Sequence, residues 1–353
     1  MSLQKLRKEI DSIDKRIISL LNVRAKVSSH IAKVKLQAGK SAYSPERERE
    51  VLKKISLLSK GPLSGRALEA IYREIMSASL SLGNAIKIAY LGPEASFSNL
   101  AALKRFGSQV NYLACDSISE VFLEVERGNA DYGVVPIENS IEGAISYTLD
   151  MFIDSDLKIC NQIILDISHN LLANCPRNKI KKIYSNPSVL GQCRQWLEKN
   201  LPCAERIEVS STTRAAQITS KEKNSACIAS ILAGKLYKLA VIASDIEDSP
   251  HNITRFLVIG NTDVPATGND RTSVMFSIKD KVGALHDMLL PFKKHRINLT
   301  KIESRPSKKK AWDYYFYVDL EGHASNAHVK KALQELESKC KFLKILGSYP
   351  VGE

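Results

Sequence analysis

Apolar residues stand at Leu3, Leu6, Ile10, Ile13, Ile17 and Leu20, and again at Val27, Ile31 and Val34. The alternating spacing of three and four is a heptad seam, which predicts one helix over residues 3–36. At 1.5 Å per residue that helix is about 50 Å long. A domain of this size cannot bury such a seam, so pairing with a second chain is expected. One seam position, Arg24, is charged. Gly39 predicts the stop. Ser44 and Pro45 predict the cap and first position of a second helix ending at Gly61-Pro62. A third follows over residues 63–82, with Leu68, Ile71, Ile75 and Ser79 on its inner stripe. Residues 1–85 therefore read as an all-α helical bundle.

The period then changes. Over residues 86–263 short apolar strands alternate with helices, the pattern of an α/β domain. Strands are predicted at 86–91, 110–114 and 131–137. Ser117 and Glu120 form a capping box, and a further helix is predicted from about Gly143 to Phe152. A second lobe is predicted from 160, with strands at 160–174, 180–184, 205–210 and 226–229 and helices from Pro187 to Asn200, from Thr212, and up to Tyr237. The chain returns through 240–243 and 256–260, which implies two lobes with a cleft between them. Residues 262–269 read as a linker. Residues 271–350 follow the order βαββαβ, a ferredoxin-like α+β domain, with a basic turn at Lys308-Lys309-Lys310.

Composition narrows the class. With 353 residues, two or three domains are expected, and 51 Lys and Arg against 38 Asp and Glu give a net charge of +13. The basic residues are spread along the chain and few aromatics are interleaved with them, so nucleic acid is not the expected partner; a positive field also draws in small anionic substrates. No apolar run reaches the roughly 18 residues of a membrane helix. The N-terminus mixes charged and apolar residues, unlike a signal peptide, so no membrane and a cytoplasmic location are expected. Seven scattered cysteines without CxxC spacing read as reduced thiols.

Several residues invite chemistry. A seam arginine needs a partner: Arg24 either pairs with Glu48 or another bundle carboxylate, or specifies the register of the helices, or lines a pocket for a dicarboxylate. Lys35 lies about three turns on and faces the same way, whereas Arg7 lies about 100° around the helix and cannot easily serve the same pocket. In the α/β region, polar motifs fall where strands end and helices begin, the places where open sheets bind anions. They are Gly92-Pro93-Glu94-Ala95-Ser96-Phe97-Ser98, Val135-Pro136-Ile137-Glu138-Asn139-Ser140, Gln192-Cys193 and Asn252-Ile253-Thr254-Arg255-Phe256. Taken singly, Ser96 and Asn139 could be caps and Gln192 a surface residue.

In this order, the motifs resemble prephenate dehydratase. The flanking segments resemble the helical chorismate mutase and the ACT regulatory domain of bacterial P-proteins. The resemblance implies domains at 1–85, 86–263 and 271–350, the substrates chorismate and prephenate, and no cofactor or metal. In the mutase, Arg7 (from a partner subunit), Arg24, Lys35, Arg47, Glu48 and Ser79 fall on family active-site positions. Arg7 and Arg24 would clamp carboxylates, Lys35 would meet the ether oxygen and Glu48 the substrate hydroxyl. Ser44 and Gly83 depart from the pattern, Gly83 removing a second donor to that oxygen. In the dehydratase, Thr254 is implied as donor to the departing hydroxyl, with Asn139 and Gln192 positioning the ring. Ser96, Ser98, Thr212, Thr213 and Arg255 are candidates for the carboxylates. Because Arg255 alternates with Thr254, it could also point to the other face. Ala95 stands where glycine is common and raises the question of a positive φ.

In the ACT segment, Gly283-Ala284-Leu285 and Glu303-Ser304-Arg305-Pro306 resemble phenylalanine-binding motifs; alternatively Gly283 merely starts a helix and Glu303 pairs with Arg305. Phenylalanine would bind between ACT domains, so a homodimer or higher homo-oligomer is implied. The rival readings are a dehydratase whose helical domain only dimerises, and a non-catalytic amino-acid sensor.

Overall fold

The structure, a computed structural model, describes residues 2–38, 43–82, 86–278, 282–307 and 314–351. Gly39, Gly83 and the turn at 308–310, on which the sequence analysis placed a helix stop, a lost donor and a basic loop, lie outside them. Contacts divide the chain into two compact units, residues 1–88 with 103–112, and residues 89–102 with 113–353.

The first unit is built on three helices, α1 (Leu3–Gln37), α2 (Pro45–Leu58) and α3 (Gly65–Ser81). Ser2 and Ser64 cap α1 and α3 by accepting from Lys5 N and Ala67 N. Ser44 precedes Pro45 as expected, but its hydroxyl caps nothing; it accepts from Lys35 instead. No residue of α1 is buried. Its seam residues Leu3, Leu6, Ile10, Ile13, Ile17 and Leu20 are 42–67% exposed. A helix apolar on one side and covered by nothing is unstable in water. Residues 103–112 belong with this unit: Gln109 N donates to Ser77 Oγ at 3.0 Å and Ser108 Oγ to Glu74 Oε2 at 2.6 Å.

The next elements are β1 (Lys87–Leu91), α4 (Phe97–Phe106), β2 (Asn111–Cys115), α5 (Ile118–Glu126), β3 (Tyr132–Asn139), β4 (Gly143–Ala144), α6 (Ser146–Asp154) and β5 (Lys158–Asp166). The second lobe holds β6 (Asn170–Ala173), β7 (Lys182–Ser185), α7 (Pro187–Gln192), α8 (Arg194–Asn200), β8 (Glu205–Glu208), α9 (Thr212–Thr219), β9 (Ser225–Ala229), α10 (Ile231–Leu236) and β10 (Ala240–Ala243). β11 (Ile253–Gly260) returns to the first lobe. The first sheet runs β2-β1-β3-β11-β5, with β4 on β3, and the second runs β10-β6-β9-β7-β8.

Three expectations need correction. The run at 160–174 does not open the second lobe as a whole: β5 pairs with β11 in the first sheet, and only β6 crosses over. Gly143 and Ala144 form a short strand, so the next helix starts at Ser146. The helix expected from Pro187 to Asn200 breaks at Cys193, because Asp248 accepts from Gln195 N and Trp196 N at 2.9 and 3.0 Å and caps a new helix there.

The C-terminal part holds β12 (Asp270–Ser277), α11 (Ala284–Lys294), β13 (Leu299–Pro306), β14 (Tyr314–Glu321), α12 (Ala327–Lys339) and β15 (Phe342–Pro350). Its antiparallel sheet runs β13-β14-β12-β15, the ferredoxin-like order, with β13 as a free edge. One face buries Val274, Phe276, Val318 and Leu320 against Met288, Phe292 and Leu336 of the helices. The other face shares a core with the first sheet, where Met275, Tyr317, Leu346 and Tyr349 join Phe122, Phe152, Ile159 and Leu257. Gly347 allows the approach: a Cβ there would stand 2.3 Å from the Ile159 carbonyl oxygen. All seven cysteines are free, and among the described residues no helix is long and apolar enough to cross a membrane.

Candidate active sites

The first site forms where β3 and β11 end. Asn139 and Thr254 are Cα partners in the ladder, as are Glu138 and Arg255. Pro136 offers no N–H to this central strand, and beside it the register slips, so that Phe256 faces Pro136 and Ile137 is skipped. Such a bulge re-aims the residues beyond it. The Asn139 amide is held at both ends. Its Oδ1 accepts from Ile141 N and Glu142 N at 2.9 and 3.0 Å, so its Nδ2 must donate, to Thr254 Oγ1 at 2.8 Å and Asn252 Oδ1 at 2.9 Å. Asn139 therefore caps no helix, although taken singly it could have: its Oδ1 closes the turn between β3 and β4, while its Nδ2 holds Thr254.

The chain of hydrogen bonds continues into the second lobe. Asn252 Nδ2 donates to Gln192 Oε1 at 2.9 Å, and His169 Nε2 lies 2.9 Å from the same oxygen. With that oxygen as acceptor, His169 donates from Nε2. Burial holds the His169 pKa below its ordinary 6.5, against the bond to Gln192, which raises it, so the ring is neutral at pH 7. Gln192 Nε2 donates to Glu142 Oε1 at 3.1 Å, and Ser188 reaches the same carboxylate. Gln192 is thus no bystander on the surface. Asn252 and His169 were missed from sequence; Asn252 lies two residues before Thr254, immediately ahead of β11, whereas a lone histidine carries no signal.

Ser96 acts as a cap: it donates to Leu91 O at 3.0 Å and accepts from Asn99 N at 3.2 Å. Ala95 does adopt a positive φ of 64°, held by Asn99 Oδ1 on its N–H and by Ser230 Oγ on its carbonyl. Ser98 is buried beside it in the first turn of α4. Thr212 and Thr213 begin α9, whose cap is Ser211. Thr213 is 3% exposed and its hydroxyl has no partner among the described residues.

Arg255 does not reach this site. It points through the sheet, where Nε donates to Gln162 Oε1 at 2.8 Å, one terminal nitrogen to Asp319 Oδ2 at 2.6 Å and the other to Tyr349 Oη at 2.8 Å. The expectation that it binds a substrate carboxylate is corrected by strand alternation. Burial alone would lower its pKa, but Tyr349 and Asp319 reverse that and raise it.

The second site is a cavity of about 430 Å³ among α1, α2 and α3, bordered by Arg24, Lys35, Arg47, Glu48 and Ser79. Arg24 donates to Ser79 Oγ at 3.0 Å rather than pairing with Glu48. Glu48 pairs with Arg105 of α4 at 2.9 Å, and Arg105 also donates to Tyr43 Oη at 2.7 Å. This contact was not legible, since 57 residues separate the pair. Arg47 pairs with Glu50 at 2.7 Å on the surface. Arg7 sits on the bare first half of α1 and does not border the cavity.

The third group lies in the C-terminal part. Gly283 adopts a φ of 76° as the cap residue of α11, with Ala284 buried and Leu285 37% exposed behind it. Glu303, Ser304, Arg305 and Pro306 lie on edge strand β13. Arg305 does not pair with Glu303; it meets both oxygens of Asp150 on α6 at 3.4 Å. Alternation leaves Ser304 and Pro306 exposed on the other side.

Three family models match in order: chorismate mutase type II over residues 6–84, prephenate dehydratase over 88–264 and ACT domain over 272–338. The bifunctional chorismate mutase/prephenate dehydratase of Aquifex aeolicus (strain VF5) is 52% identical, over 99% of this chain and 98% of its own. This chain belongs to the bifunctional chorismate mutase/prephenate dehydratase family. A solved prephenate dehydratase from Arthrobacter aurescens in complex with L-Phe superposes with a TM-score of 0.71 at 31% identity, covering 75% of this chain and 90% of that one. A structure named as GqqA, a novel type of quorum quenching acylase, reaches 0.70 at 25% identity over 75% and 97%. One fold thus carries more than one named activity, and the reaction must be argued from the site.

Proposed function

We propose that the chain converts chorismate to prephenate in the helical cavity and prephenate to phenylpyruvate between the two lobes, and that phenylalanine restrains the second step through the ACT domain. One observation carries the dehydratase assignment. Because Asn139 Nδ2 donates to Thr254 Oγ1, the threonine oxygen is an acceptor in that bond, and its own proton has no acceptor among the described residues. That proton is available to the ring hydroxyl of prephenate. Decarboxylation sends the C–C electron pair into the ring, the C–O bond breaks, and the oxygen leaves as water with a proton that Thr254 delivers and solvent replaces. Aromatisation drives the step, so a positioned donor suffices. Asn139 and Gln192 orient the ring. The first turns of α4 and α9 offer N–H groups to the carboxylates, with Ser98, Thr212 and the unpartnered Thr213 as hydroxyl donors, whereas the Ser96 hydroxyl is already committed to Leu91 O and Asn99 N.

In the mutase, Arg24, Lys35 and Arg47 outnumber the single carboxylate Glu48 around the cavity, which suits a dicarboxylate. No covalent bond to protein is needed, so catalysis is orientation and placement of charge. Arg7 enters from a second copy along the exposed seam of α1, and the protein works as a homodimer or larger assembly. Phenylalanine binds at Gly283, Ala284 and Leu285 together with the exposed side of β13, between ACT domains.

The deciding test is direct. Wild-type protein given prephenate should release phenylpyruvate, and given chorismate should consume it. Absence of phenylpyruvate would leave a sensor, and absence of chorismate consumption would leave a helical domain that only dimerises.

A further inference from the structure

The residues adjoining the dehydratase pair form a second, hidden constellation. Glu138 and Arg255 are ladder partners one step from Asn139 and Thr254, and strand alternation sends them through the sheet. Behind it they meet the C-terminal sheet. Arg255 lies 2.6 Å from Asp319 and 3.9 Å from Glu138, and Glu138 lies 3.0 Å from Lys301. Lys301 and Asp319 are themselves Cα partners, on β13 and β14. Two ladder pairs on facing sheets are thus joined across the gap by the ion pairs Arg255–Asp319 and Glu138–Lys301, four alternating charges at the corners of a square. Arg255 and Asp319 are each only 10% exposed at the side chain, and Asp319 is fixed further by Ser273. The regular β3–β11 ladder slips between Arg255 and Phe256, immediately inside this square. The pairs that carry Thr254 and Asn139 are thus offset by one residue from the rest of the β3–β11 ladder, while β5 holds β11 in continuous register from Ile253 to Val258 on its other side, and the charges sit beside that offset.

We infer that Asp319 and Lys301 of the C-terminal sheet are positioning residues for the dehydratase site, acting through Arg255 and Glu138 on the placement of Thr254 against Asn139. The inference rests on the reading of Thr254 as proton donor, and deepens it: the ACT sheet is part of the catalytic scaffold. A ligand that shifts β13 or β14 has a short path to the reacting hydroxyl, through two ion pairs and one peptide unit on each strand.

The test uses the full-length protein and Asp319→Asn, which keeps shape and removes charge. The dehydratase kcat should fall about tenfold or more, since small misplacements at a reacting group are costly, with KM changed less. Chorismate consumption by the same molecules should stay unchanged, which counts folded protein. Arg255→Lys should give a similar loss, and the double variant Arg255→Lys/Asp319→Asn should lose little more than either alone. A merely structural role would lower the yield of folded protein and leave kcat per folded molecule intact; that outcome overturns the inference, as does additivity. Should Asp319→Asn fail to fold, Lys301→Gln decides: a kcat reduced about threefold supports the square, and an unchanged one overturns it. Wild-type protein inert towards prephenate would instead sink the underlying assignment.

Discussion

The two candidate sites are made of different materials. Around the helical cavity the charged groups stand on the long, flexible stems of Arg24, Lys35 and Arg47, and the helix carrying two of them has no buried residue. Between the lobes the groups are short: Thr254, Asn139, Asn252 and Gln192 lie in one hydrogen-bonded chain, rooted in a sheet whose core is shared with a third domain. Long side chains reach a dianion from several directions but must be steered by partners, as Arg105 steers Glu48. Short ones need no steering once the backbone is held, so their precision is set behind the sheet. On the function proposed above, the first site is completed by a second copy of the chain, whereas the side chains of the second lie within one.

That contrast can be broken at several points. Thr254→Ala should lower phenylpyruvate production by about 10²–10⁴-fold with chorismate consumption intact; near-normal turnover would move the donor elsewhere. Arg7→Ala should cost the mutase about 10²-fold, as loss of a charge-assisted contact in a water-poor site does. Mixing it with Lys35→Ala protein should restore part of the activity, because a hybrid dimer holds one intact cavity; no restoration would place Arg7 in its own chain's site. Gly347→Ala should destabilise the docked C-terminal sheet by about 1–3 kcal/mol, seen as a lower melting temperature, because its Cβ would press on Ile159. Arg105→Ala should lower mutase kcat about tenfold by freeing Glu48, with dehydratase rates unchanged.

The smallest effect concerns pH. Burial holds His169 below its ordinary 6.5, so the unfolded chain takes up a proton that the folded chain refuses. Stability present above about pH 6.5 is therefore lost as pH falls through and below that value. In His169→Gln the loss between about pH 7 and 5 should be shallower in thermal melts; an identical slope would assign the acid sensitivity to other groups.

Much of this architecture was readable before any coordinates. The three-four spacing from Leu3 to Val34 forced one long helix with an apolar side too extended to cover itself. The question raised at Ala95 is answered by its positive φ, and the βαββαβ order at 271–350 was an equally local matter, settled by periodic rules that act over a few residues. Sheet membership was not. β5 and β6 look like one apolar run, and only the pairing of β5 with β11 assigns it to the first lobe. Hydrogen bonds between side chains distant in sequence escaped for the same reason.

What the sequence determined on its own, then, was the set of elements, the polar motifs at their ends and the kinship those motifs announce, because propensity, capping and alternation depend on near neighbours. Only the tertiary structure decided what the charged residues do. Arg255 stands beside Thr254 in the chain yet turns to Asp319, and Glu48 is held by Arg105 from another helix. A buried charge takes whichever counter-charge the packing brings within about 3–4 Å, and that choice is made by chain segments far apart.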